Sequence, residues 1–171
     1  MPKKFLLAVR YIQLFDLPTG TEVFCNRGTA GIDGSTATAM GAAQINPKKT
    51  VLITGDLSFF YDVNGLWNDY IPRDARIIVI NNQGGGIFRI LAGDKDTPKY
   101  DTYFETIHNR NFKNVAKSFG LGVVLHYLSP NSNSIPFAIA IKATKTKSFL
   151  YRRWAALKCA LRLTVNLFIL I

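Results

Sequence analysis

The sequence predicts an α/β fold built on a mainly parallel sheet, on three observations. Val51–Thr54 and Arg76–Ile80 are short runs of apolar and β-branched residues, as expected of parallel strands covered on both faces. Between them, Leu57–Tyr70 reads as a crossover helix, with Phe60, Val63, Asn64 and Trp67 at helical spacing. Both strands end on polar residues, Gly55-Asp56 and Asn81-Asn82, and the second pair leads into Gly84-Gly85-Gly86. Ligands of open α/β sheets bind at the carboxyl ends of strands, so Asp56 and Asn82 fall where a ligand would sit.

The other elements follow in order. Leu6–Leu14 is apolar and could be a helix, and Asp16–Gly20 is a turn by its Pro and Gly. Glu22–Cys25 is a short strand and Asn26–Gly34 a glycine-rich loop. Ser35 is a candidate N-cap for a helix rich in Ala and Met that runs to Gln44 and breaks at Asn46-Pro47. Pro72 ends the crossover helix. A short helix is expected over Ile87–Leu91, a polar turn-like stretch over Asp94–Asp101, and a helix over Asn111–Phe119 closed by Gly120. Val123–Tyr127 and Ile135–Ile141 are further strand candidates. Leu161–Ile171 is apolar but interrupted by Arg162 and Asn166, and is shorter than the roughly 20 residues of a spanning helix.

A chain of 171 residues can bury one good core. MPKKFLL carries no long apolar region of the secretory type, and Cys25 and Cys159 have no metal-ligand spacing, so a cytoplasmic, reduced protein is expected. The net charge of +10 is unevenly placed. Residues 1–110 hold 12 Lys and Arg against 11 Asp and Glu, whereas residues 111–171 hold 9 Lys and Arg and no acid. That basic segment is open to three readings: an anion-binding surface, an ordinary solvated face, or sequence that has departed from its relatives, as by a frameshift. Neither a nucleic-acid nor a membrane partner is expected.

A carboxylate, a carboxamide and a glycine loop at neighbouring strand ends suit a hard cation that carries a diphosphate. The plainer alternative is a helix-capping Asp and a turn Asn. His108 and His126 have no metal-ligand partner in sequence and are taken as surface or core residues, and Cys25 as a small buried hydrophobe.

Gly55-Asp56 followed about 25 residues later by Asn81-Asn82 resembles the diphosphate motif of thiamine-diphosphate enzymes. The family pattern reads Gly-Asp-Gly, and here it is Gly55-Asp56-Leu57-Ser58. With upstream Asn26-Arg27-Gly28-Thr29-Ala30-Gly31-Ile32-Asp33-Gly34, this is similar to the 2-succinyl-5-enolpyruvyl-6-hydroxy-3-cyclohexene-1-carboxylate synthases of menaquinone biosynthesis, from about Val9 to about Gly120.

The resemblance implies a three-layer sandwich, the pyrophosphate domain of such an enzyme, with residues 1–120 as the cofactor-binding core and 121–171 completing the sheet or partly disordered. It implies thiamine diphosphate and Mg²⁺ or Mn²⁺ as cofactors. Asp56, Asn82 and the Gly84 carbonyl match the metal ligands, and Ile32, Asp33, Gly55, Leu57 and Ser58 match other cofactor-binding positions. Arg10, Arg27, Ile87, Phe88 and Leu91 match positions that contact the substrates 2-oxoglutarate and isochorismate. Leu6 stands where the family has a Ser, in the pattern that ends on Arg10. The family's activating Glu lies in a separate N-terminal domain supplied by the partner subunit of a homodimer or homotetramer. Asp16 and Glu22 do not match it, so no catalytic residue is expected here. Another thiamine-diphosphate decarboxylase or acetohydroxyacid-type synthase would carry Gly where Leu57 stands. A non-catalytic basic binding module using residues 111–171 is the alternative outside this enzyme class.

Overall fold

The computed structural model describes residues 19–25, 31–90, 97–126, 138–143 and 165–169. Leu6–Leu14 lies outside them. Among the described residues, six strands form one sheet: β1 (Glu22–Cys25), β2 (Lys49–Gly55), β3 (Arg76–Ile80), β4 (Leu121–His126), β5 (Ala138–Ala143) and β6 (Val165–Ile169). Their order is β1-β6-β2-β3-β5-β4. The pairs β1–β6, β6–β2 and β2–β3 are parallel, whereas β3–β5 and β5–β4 are antiparallel. The sheet is therefore mainly parallel. The register that sets Leu52 beside Ile77 and Gly55 beside Ile80 brings the carboxyl ends of β2 and β3 level with each other.

Helix α1 (Ser35–Ile45) precedes β2, and α2 (Asp56–Tyr61) starts where β2 stops. A 3₁₀ turn (Val63–Leu66) follows, then α3 (Gly86–Ile90), a π-helical turn (Tyr100–Glu105) and α4 (Phe112–Ser118). The core lies between these helices and the sheet. Phe59, Leu52 and Val79 are fully buried in it, joined by Met40, Leu66 and Phe112. Burying a side chain the size of Phe59 contributes about 1.5–3 kcal/mol.

Three elements differ from expectation. The cap of α1 is Gly34, in the left-handed region at φ 73°, and Ser35 is the first helical residue. The Ser35 hydroxyl bonds across to Ser58, so it does not cap its own helix. The crossover helix breaks after Tyr61. The buried Asp62 turns its carboxylate to accept the Ala37 N–H of α1 at 2.7 Å, and the chain continues as the 3₁₀ turn. Gly65 within that turn lies so close to α1 that a Cβ would stand 2.8 Å from the Ala37 backbone. Trp67, placed on the apolar face by helical spacing, is 77% exposed. Cys25 is exposed as well, because β1 is an edge strand whose four side chains all meet solvent. Among the described residues, no helix is long and apolar enough to cross a membrane.

Candidate functional site at the ends of β2 and β3

Asp56 is the first residue of α2, carried by Gly55 in extended geometry (φ −78°, ψ 165°) off the end of β2. Its side chain is buried, 2% exposed. One oxygen, Oδ1, accepts the Leu57 N–H at 2.8 Å. The other, Oδ2, accepts the Gly84 N–H at 3.0 Å and lies 3.2 Å from His108 Nε2. A buried carboxylate needs hydrogen-bond partners, and the His108 ring supplies one beside the two backbone amides.

Asn82 lies two residues past β3. One terminal atom of its carboxamide sits 3.1 Å from each Asp56 oxygen and 2.9 Å from the Gly84 carbonyl. With nitrogen at that position its two hydrogens are shared among the three acceptors. With oxygen there, only oxygens face one another, and a cation among them would satisfy the set. Neighbouring oxygens around an octahedral ion with ligands at about 2.0–2.1 Å stand about 2.9 Å apart, which these spacings match. The residues present therefore fit a small hard divalent cation. Among the described residues, no three His, Cys, Asp or Glu side chains gather as a softer metal site would require.

The glycine loop has the shape that this closeness demands. Gly84 holds φ +150°, and a Cβ there would stand 2.6 Å from the Glu105 carbonyl oxygen. The Gly85 N–H donates to that same carbonyl at 2.6 Å, and the His108 N–H donates to the Gln83 carbonyl at 3.3 Å. The 105–108 segment thus straps the glycine loop from outside. Gln83 (φ 64°) and Thr106 (φ 51°) both take left-handed backbone that non-glycine residues rarely adopt.

His108, taken from sequence as a surface or core residue, stands beside Asp56 in the site. Its Nδ1 accepts the Arg110 N–H at 3.3 Å, which leaves the ring proton on Nε2, facing Asp56. Phe60 packs edge-on against the ring at 5.3 Å, with Phe112 at 6.2 Å. Nothing in the spacing between His108 and Asp56 announces this pair, because the intervening chain has no period that would bring them together.

The loop before α1 joins the site through Ser58. Its hydroxyl donates to the Ile32 carbonyl at 2.7 Å, so the 2.9 Å bond to Ser35 must be accepted from the Ser35 hydroxyl. This ties Ile32-Asp33-Gly34 to Gly55-Asp56-Leu57-Ser58. Ile32 and Asp33 themselves are exposed. Ile87 and Phe88 sit on α3, half-buried, and Phe88 meets Phe104 edge-on at 5.8 Å. Arg10, Arg27 and Leu91 lie outside the described residues.

The family described as "Thiamine pyrophosphate enzyme, C-terminal TPP binding domain" matches residues 8–147. The chain is 58% identical over 115 residues to the 2-succinyl-5-enolpyruvyl-6-hydroxy-3-cyclohexene-1-carboxylate synthase of Flavobacterium psychrophilum, covering 67% of this chain and 21% of that protein. The protein of the same name from Flavobacterium johnsoniae is 57% identical over 112 residues, covering 66% and 20%. That of Cytophaga hutchinsonii is 42% identical over 120 residues, covering 70% and 22%. The chain spans about a fifth of the length of these relatives. By fold and by match, it belongs to the thiamine pyrophosphate enzyme family, of which it carries the C-terminal TPP-binding domain.

Proposed function

We propose that this chain is the cofactor-holding part of a thiamine-diphosphate-dependent synthase that decarboxylates 2-oxoglutarate and adds the succinyl unit to isochorismate in menaquinone biosynthesis. The convergence of the Asp56 carboxylate, the Asn82 carboxamide and the Gly84 carbonyl carries the cofactor reading. Likeness to relatives named for that synthase carries the choice of reaction. In this reading the three groups hold Mg²⁺ or Mn²⁺ against the diphosphate, and Gly55, Leu57 and Ser58 shape the floor beneath it. Ile32 and Asp33 present the preceding loop to the cofactor. When bound, thiamine diphosphate supplies the carbanion chemistry, and the protein's part is binding and orientation.

Arg10 and Arg27 pair with substrate carboxylates, for which a planar guanidinium is suited. Ile87, Phe88 and Leu91 form an apolar wall beside the cyclohexadiene ring. Residues 1–120 make the cofactor core and 121–171 complete the sheet. The acid–base residue that activates the cofactor comes from another domain, in a cytoplasmic homodimer or homotetramer. Calorimetric titration of thiamine diphosphate with Mg²⁺ tests the reading. Binding that requires both Mg²⁺ and Asp56 supports it, and equal heats from wild type and Asp56→Ala refute it.

A further inference from the structure

We infer that His108 is a positioning residue that restricts Asp56 to a single coordinating oxygen, and thereby biases the site toward Mg²⁺ and Mn²⁺ over Ca²⁺. The inference rests on the cation reading of Asp56, Asn82 and Gly84 given above. A carboxylate offers about four lone-pair sites, two on each oxygen. On Asp56, Oδ2 meets two donors, the Gly84 N–H at 3.0 Å and the His108 Nε2–H at 3.2 Å. It is saturated. Oδ1 meets the Leu57 N–H alone among backbone donors, at 2.8 Å. When the Asn82 carboxamide turns its oxygen inward, a lone pair is left on Oδ1 and none on Oδ2. A cation then finds a monodentate carboxylate.

That distinction separates the two ions. Mg²⁺ demands near-octahedral coordination and takes carboxylates through one oxygen, whereas Ca²⁺ accepts six to eight ligands and readily takes both. The Gly84 N–H cannot be removed from the set by a side-chain change, so the second bond to Oδ2 depends on His108. The ring is well placed to hold its position. Its far nitrogen is fixed by the Arg110 N–H, its edge meets Phe60, and its own backbone N–H bonds to Gln83. The left-handed backbones at Gln83 and Thr106 flank this connection, and strain of that kind persists where the surroundings hold a residue to a task.

The test is EPR-monitored Mn²⁺ binding to the 171-residue chain with thiamine diphosphate present, followed by displacement with Mg²⁺ and, separately, with Ca²⁺. His108→Phe and His108→Leu remove the donor and keep an apolar filling against Phe60. His108→Gln keeps an N–H close to the place of Nε2. Outer-shell partners of metal ligands change affinity by about 10–100-fold, so the donorless variants are expected to shift the Ca²⁺/Mg²⁺ affinity ratio toward Ca²⁺ by about tenfold, and His108→Gln to keep the wild-type ratio. A merely structural role lowers both affinities together and leaves the ratio where it was.

An unchanged ratio in the donorless variants overturns the inference, and so does a shift in His108→Gln as large as that in His108→Phe. Failure of both donorless variants to fold, judged by circular dichroism, assigns His108 to the core and also overturns it. A wild type that binds no Mn²⁺, or binds it as Asp56→Ala does, refutes the cation reading itself. Binding through Asp56 with an unmoved ratio refutes the role of His108 alone.

Discussion

Gly84→Ala is a demanding test of the strap that holds the glycine loop. The substitution meets two obstacles at once. At φ +150° an L-residue is strained, which costs about 1–3 kcal/mol. The new Cβ would also stand 2.6 Å from the Glu105 carbonyl, and overpacking of this kind costs about 1–3 kcal/mol. The chain can escape by letting the glycine loop and the 105–108 segment move apart. It then loses the 2.6 Å bond from Gly85 to Glu105, the 3.0 Å bond from Gly84 to the Asp56 carboxylate, or both.

A neutral hydrogen bond contributes about 1 kcal/mol and one to a charged group about 1.5–3 kcal/mol, so the escape costs roughly 2–4 kcal/mol. The cheaper route sets the expected loss, about 2–4 kcal/mol in urea unfolding. At about 2–4 °C per kcal/mol for a chain of this size, the midpoint temperature falls by roughly 4–16 °C. Gly41→Ala is the control. It lies within α1, nothing stands within 4 Å of a Cβ there, and alanine in a helix is favoured by roughly 0.5–1 kcal/mol. A Gly84→Ala protein as stable as Gly41→Ala would refute the close approach of the two loops.

Other expectations follow from single contacts. Asp62→Ala strands the Ala37 N–H between α1 and the 3₁₀ turn, and is expected to lose about 1–3 kcal/mol in the same urea assay. Ser58→Ala removes the bond to the Ile32 carbonyl and the acceptor for Ser35. Hydrogen exchange should quicken across residues 31–36 while β3 keeps its protection. Phe59→Ala opens a cavity at a fully buried position, with an expected loss of about 3–5 kcal/mol by thermal unfolding.

What the sequence made legible was decided by local pattern. β2 and β3 are continuous apolar runs, and both appear within two residues of their expected bounds. The Gly-Asp and Asn-Asn pairs mark strand ends, and the register of β2 with β3 brings those ends together. Where tertiary contacts overrode local preference, the sequence was silent. Phe60, Val63, Asn64 and Trp67 have helical spacing, yet the carboxylate of Asp62 is engaged by an amide of another helix and the helix stops. Ser35 is a good capping residue whose hydroxyl is engaged by Ser58. His108 reaches Asp56 only because a π-helical turn and a left-handed Thr106 bring the chain back over the glycine loop. The strand at Val165–Ile169 was expected only as an apolar run, since its parallel partners are remote in sequence and leave no local trace.

The place of β6 sets a timetable for synthesis. It lies between β1 and β2, so Glu22 pairs with Asn166 and Thr50 pairs with the same residue from the other side. During translation, β2, β3, β5 and β4 can assemble as soon as residue 143 is free. β1, made before all four, has no neighbour in the sheet until Val165–Ile169 emerges. For that interval the nascent chain displays the margins of β2 and β1 that β6 later covers, each a template for pairing with another chain. Slow decoding between residues 143 and 165 would lengthen that exposure and raise the demand on chaperones, with no change in the finished fold.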